Sequence, residues 1–176
     1  MRVIGIDPGT RHLGWGVLEK NGTKITPVAH GVIDVDLSGS FASRLVEIDD
    51  TLKGILEEHA PNVAAVESLF FAKDAQSAAK LGHARGVVLL RIARSGIESH
   101  EYAPALVKRT VVGKGAADKR QVAMVIAAIL RLPAPPRSDA ADALAIALTH
   151  LNAASFQAAV AASKAQKSGA PPPRSR

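Results

Sequence analysis

Four carboxylates stand where a fold could turn them toward one point. Asp7 closes the apolar run Val3-Ile4-Gly5-Ile6 and is followed by Pro8-Gly9, which puts it at a strand end where backbone can approach a ligand closely. Asp-Pro-Gly is also ordinary turn chemistry, so a plain turn aspartate and a phosphate-binding loop compete with a catalytic role. Glu67 follows Val63-Ala64-Ala65-Val66 at a position that would be apolar if it faced a core, although strand-end charges often only meet solvent. Asp139 and Asp142 lie three residues apart at the start of a helical stretch and share one face. Acidic residues are favoured in a first turn by the helix dipole alone, so this pair has a purely stabilising explanation as well.

Brought together, four carboxylates repel one another and destabilise the fold unless a cation neutralises them. Oxygen-only ligands suit Mg²⁺ or Mn²⁺, and two such ions roughly 4 Å apart can activate water and stabilise the leaving oxygen of a phosphodiester. No cysteine is present, which removes thiolate metal sites and a cysteine nucleophile. His12 and His150 read as surface or packing residues rather than ligands.

The elements needed to position these groups can be read from periodicity. Residues 2–7 form a strand, and Gly14–Glu19 with Ile25–Ile33 form a pair joined at Asn21-Gly22, a strong hairpin signal. Ser38, Gly39 and Ser40 offer caps for a helix in which Phe41, Leu45, Ile48, Leu52 and Ile55 make one apolar stripe, stopped by Pro61. A strand ending at Glu67, a loop, a helix over Ala75–Arg94, a strand in Ile97–Tyr102, a short helix from Pro104, and a helix from Lys119 to Leu132 follow. Pro133, Pro135 and Pro136 end that helix. Ser138 is placed to cap an alanine-rich helix carrying both aspartates. The order predicts an α/β domain with a mixed central sheet, three antiparallel strands then parallel ones, and helices on both faces. A right-handed crossover would put Asp7 and Glu67 on the same sheet edge.

The length of 176 residues fits one domain, expected over 1–154, with an Ala/Ser/Lys/Pro-rich basic tail over 155–176 expected to be disordered. With 22 Lys+Arg against 16 Asp+Glu the net charge is +6, which attracts a polyanion, nucleic acid first. The start at Met1-Arg2 leaves no room for a signal peptide and no apolar run spans a bilayer, so a cytoplasmic protein with no membrane partner is expected.

Four strings in order carry a resemblance: GIDPGT around Asp7, VESLFFAKDAQSAAKLGHARGV from Val66, EYAPALVKRTVVGKGAADKRQV, and SDAADALAIA. Together they resemble the RuvC family of bacterial Holliday-junction resolvases over nearly the whole domain. The resemblance implies a ribonuclease H-like fold, a homodimer, and paired nicks in two strands of like polarity at a four-way DNA junction. It maps the catalytic, metal-binding acids to Asp7, Glu67, Asp139 and Asp142, with Mg²⁺ (or Mn²⁺), two per site. Some relatives carry histidine where Asp139 stands, so that ligand varies in type.

The same resemblance makes Lys108 and Lys119 candidate phosphate contacts, with Arg109, Lys114, Arg120 and Lys73 as further DNA-binding candidates. Phe70 is the candidate for wedging into a base step, and Phe71 for a core residue. The Ala75–Arg94 helix would supply the dimer interface through Leu81, Gly82, Gly86, Val88 and Leu89, and the RuvA–RuvB branch-migration complex is a candidate partner. Three rivals are a RuvC-like nuclease for structured RNA, a phosphate loop of an actin-like ATPase, for whose two lobes the chain is too short, and a non-catalytic nucleic-acid-binding module.

Overall fold

The structure is a computed structural model that describes residues 1–68, 74–113 and 118–167, with side chains to residue 154. Strands β1 (Arg2–Asp7), β2 (His12–Asn21) and β3 (Lys24–Asp34) form the expected meander, followed by α1 (Phe41–His59), β4 (Val63–Glu67), α2 (Ala75–Arg94), β5 (Glu98–Tyr102), α3 (Pro104–Val112), α4 (Lys119–Leu130) and α5 (Ser138–Lys167). The sheet order is β3-β2-β1-β4-β5, with β4 parallel to β1 and β5 parallel to β4. Gly22 takes φ 60° in the β2–β3 turn, the left-handed conformation that an Asn-Gly hairpin uses.

Strand pleat decides which side chains meet which helices. Ile4 and Ile6 of β1, with Ala64 and Val66 of β4, point to one face and pack under α1 and α2 with Ile48, Leu52, Val88 and Ile92. The alternate positions Val3 and Ala65 point to the other face, against α3, α4 and α5. Continuing the alternation, Asp7 and Glu67 fall on the α5 face, one residue beyond the last registered pair, Ile6 with Val66. The part of α5 from Ala140 to Leu151 is enclosed nearly all round: Ala140, Ala141, Leu144, Ile146, Ala147 and Leu151 are at most 1% exposed. A helix without a polar face is stable only in such an interior position.

That helix lies almost directly on backbone. A Cβ added to Gly5 would stand 2.0 Å from the Ala143 carbonyl oxygen, and one added to Gly14 would stand 1.9 Å from that of Asp139. Strand glycines often mark a close approach of another backbone, and here they let α5 settle onto β1 and β2.

Some expectations are corrected. Ser138 is the first helical residue rather than the cap; the Ala141 N–H donates to the carbonyl of Arg137, which therefore occupies the capping position. Helix α4 ends at Leu130 instead of Leu132, because Arg131 adopts the left-handed conformation at φ 54°. Helix α5 continues to Lys167, well beyond Ala154, along a run whose alanines have the highest helix propensity. Val88 is fully buried on the sheet side of α2, so its side chain has nothing to offer a second subunit. The outward side of α2 presents Gly82, Gly86 and half-exposed Leu90.

The glycine contacts give a paired test by urea unfolding. Gly5→Ala should lose about 2 kcal/mol or more, because the new methyl meets helix backbone that cannot shift alone. Gly54→Ala, inside α1 where a Cβ meets nothing within 4 Å, should gain about 0.5–1 kcal/mol.

Candidate active site

The ends of β1 and β4 and the second turn of α5 open onto one cavity of about 280 Å³. Asp7, Glu67 and Asp142 line it, faced by Lys108 of α3 and Lys119 at the start of α4. Val107, Val111 and Val122 complete an apolar wall. Asp139 lies one turn before Asp142. It does not line the cavity, but its charge acts on both Asp7 and Asp142.

Burial and crowding make these carboxyls reluctant to ionise. Burial first, then the charges of Glu67, Asp142 and Asp139, push Asp7 from its usual 3.8 up to about 8, against an opposing pull from Lys119. Glu67 is also raised, by burial and then by Asp142, with Lys108 and Lys119 acting the other way. Asp142 is raised chiefly by burial, opposed by Lys119 and Lys108. Lys119 Nζ stands 3.8 Å from Asp142 Oδ2, with a side chain 74% exposed, so this ion pair is screened and weak. Two flexible lysines do not neutralise four acidic groups in a half-buried site.

Donor chemistry and charge fit a hard divalent cation: all the acidic donors are oxygens and the site carries excess negative charge. Among the described residues, however, no three acidic or imidazole side chains converge closely enough to enclose an ion. The carboxylates are nonetheless coupled through charge.

Neighbouring contacts hold the supporting elements. Arg85 of α2 donates from Nε to the Glu67 carbonyl at 3.3 Å and pairs with Glu101 of β5 at 2.6 Å, bracing the end of β4. Arg137, just before α5, makes two hydrogen bonds to Asp34 at 2.5 and 2.7 Å, and His12 Nδ1 lies 2.7 Å from the same carboxylate. Both arginines escaped the sequence reading. An arginine on an otherwise apolar helix face was the available signal for Arg85, whereas nothing in the local sequence ties Arg137 to Asp34.

Of the other sequence candidates, Arg109 and Arg120 are exposed and follow Lys108 and Lys119 directly in the chain. Phe70, Phe71, Lys73 and Lys114 lie outside the described residues. His150 is buried and its Nδ1 lies 2.8 Å from the Tyr102 hydroxyl, a packing role, and His12 is exposed in its pairing with Asp34.

With this geometry in view, residues 3–150 match the family model described as Crossover junction endodeoxyribonuclease RuvC. A protein of that name from Sorangium cellulosum (strain So ce56) is 71% identical over 174 residues, spanning 99% of this chain and 94% of its own length. Another from Caulobacter vibrioides (strain ATCC 19089 / CIP 103742 / CB 15) is 47% identical over 151 residues, or 86% and 89% of the two chains. The solved structure of T. thermophilus RuvC in complex with Holliday junction substrate superposes with a TM-score of 0.79 at 35% identity, covering 89% of this chain and 96% of that one.

The electrostatics predict a specific pH response without divalent ions. Between 3.8 and about 8 the folded state holds a proton on Asp7 that the unfolded chain has released. Stability should therefore fall as pH rises through that window. Thermal melts in a chelator should show this decline, Asp7→Asn should reduce it to the part that Glu67 and Asp142 contribute, and added Mg²⁺ should reverse it at pH 8. A decline that Asp7→Asn leaves unchanged would show that Asp7 is not its source.

Proposed function

The chain belongs to the crossover junction endodeoxyribonuclease RuvC family, and we propose that the cavity between β1, β4 and α5 is where it cuts DNA. The protein is an α/β, ribonuclease H-like endonuclease that resolves Holliday junctions. Nucleases of this family are metal dependent. Asp7, Glu67, Asp139 and Asp142 would hold the metal, Mg²⁺ by preference or Mn²⁺, as two ions per site. The observation that carries this reading is the convergence of Asp7, Glu67 and Asp142 on one cavity with Lys108 and Lys119 opposite.

When bound, the ions supply Lewis acidity toward the phosphodiester and make a water molecule more acidic. The chain's own groups do the rest. Lys108 and Lys119 face the carboxylates, where they attract the scissile phosphate and stabilise the extra negative charge that its oxygens carry in the transition state. The valine wall lowers the polarity of the cavity beside the lysines and so strengthens those charge interactions. Cleavage leaves a 5′-phosphate and a 3′-hydroxyl. Arg109 and Arg120 extend the positive rim, as would Lys73 and Lys114, and Phe70 would help to open the junction.

Symmetric nicks require the same site twice, which a homodimer provides. Support for α2 as the interface is its outward groove, lined by Gly82, Gly86, Val87 and Leu90, with Leu81 and Leu89 partly buried beside it. The RuvA–RuvB complex would be the partner that delivers junctions. Among the described residues no helix is long and apolar enough to cross a membrane, and a cytoplasmic location is part of the proposal. The domain would span 1–154, with 155–176 as a basic appendage whose first part continues α5 to Lys167.

A four-way junction incubated with the protein and Mg²⁺ should yield paired nicks at symmetric positions in strands of like polarity. Asp7→Asn should keep junction binding and lose cleavage, and Ca²⁺ should support binding without efficient cutting. Substantial cutting by Asp7→Asn would remove the carboxylate from the mechanism. Because a Cβ at Gly82 meets nothing within 4 Å, Gly82→Glu should fold normally and sediment as a monomer; an undisturbed dimer would move the interface elsewhere.

A further inference from the structure

Past Lys119 a second depression of about 530 Å³ opens between α4 and the segment leading into α5. Lys119 and Arg120 form one side, and Met124, Pro135 and Pro136 another. Lys119 belongs to the walls of both this groove and the carboxylate cavity, so the two adjoin at that side chain. Arg120 is exposed and makes no ion pair among the described residues. Met124 is 55% exposed, although the adjacent Ala123 is buried in the core.

We propose that this groove holds the nucleotide adjoining the scissile phosphate in the cut strand, with Arg120 on its phosphate and its base or sugar against Met124, Pro135 and Pro136. The assignment rests on the reading of the carboxylate cavity as the cutting site. A nucleotide presents an anion and a flat apolar ring within one repeat, and the groove offers an uncompensated cation beside an apolar wall. Proline rings bring apolar surface that is already ordered and leave no N–H to satisfy. Methionine is unbranched and adapts to any of the bases, and both residue types serve as apolar contacts to unstacked bases. The sequence alone marked Pro135 and Pro136 only as helix terminators.

The test uses the full-length protein with four-way junctions carrying a single abasic residue at each position near the cut in turn. One position adjoining the cut should slow cleavage about tenfold, the size expected of one lost base contact. Met124→Ser should melt like the parent protein, since the side chain is half exposed, and should slow cleavage of the intact junction by a similar factor. On the junction that is abasic at the sensitive position, Met124→Ser should cost nothing further.

A readout independent of cutting is 2-aminopurine at that position, in a complex with Asp7→Asn. Its fluorescence should change on binding, and the change should be lost when Met124→Ser is added. Multiplying losses, or a Met124→Ser protein that cuts normally and leaves the fluorescence change intact, would overturn the groove assignment alone and leave the surface to a protein partner. A parent protein that neither binds nor cuts any junction would overturn the cutting-site reading and this one together.

Discussion

Helix α5 rests on the sheet with almost nothing between the two backbones. Gly5 and Gly14 leave no room for a Cβ beneath the carbonyls of Ala143 and Asp139, and Gly16 likewise lies against Leu144. This contact fixes the height of the helix above β1. It thereby sets how near Asp142 comes to Asp7 and Glu67, whose own side is set by strand pleat. Were the helix held farther off by ordinary side chains, the aspartates would sit on a separate layer and the cavity would lose one of its carboxylate walls.

The same contact imposes an electrostatic cost. Keeping Asp7 in surroundings that raise it to about 8 opposes folding by on the order of 4 kcal/mol at neutral pH when no cation is bound. Fully buried Leu144, Ile146 and Leu151, at roughly 1.5–3 kcal/mol each, are enough to offset it. The helix that packs over Asp7 thus also carries much of the core that offsets this cost. The supporting braces work at the sheet's ends: Arg85 holds the backbone of Glu67, and Arg137 ties the chain entering α5 to Asp34 at the end of β3.

Much of this was legible in the chain itself because the relevant signals are local. Asn21-Gly22 announced the hairpin, the stripe from Phe41 to Ile55 announced α1, and three of the four carboxylates that end or begin elements meet at one cavity. What could not be read depends on partners far away in sequence. A glycine inside a strand looks like a weakness until the helix above it is known, and Arg137 meets Asp34 across 103 residues. Val88 illustrates a different limit. Helix α2 is apolar on two sides, so composition did not reveal that Ala84, Val88 and Ile92 form the inner stripe while Gly82, Gly86 and Leu90 face out. Helix α5 outran its expected end because an alanine-rich run that lacks the apolar surface for a core still has strong local helix propensity.

Close packing of α5 gathers carboxylates that require divalent ions to complete the site. Crystals of the protein grown with Mn²⁺ and measured at the manganese absorption edge test this. Anomalous peaks bounded by Asp7, Glu67 and Asp142, with Asp139 beside them, are the expected result. Manganese found only elsewhere on the surface, with this cavity empty, would contradict it.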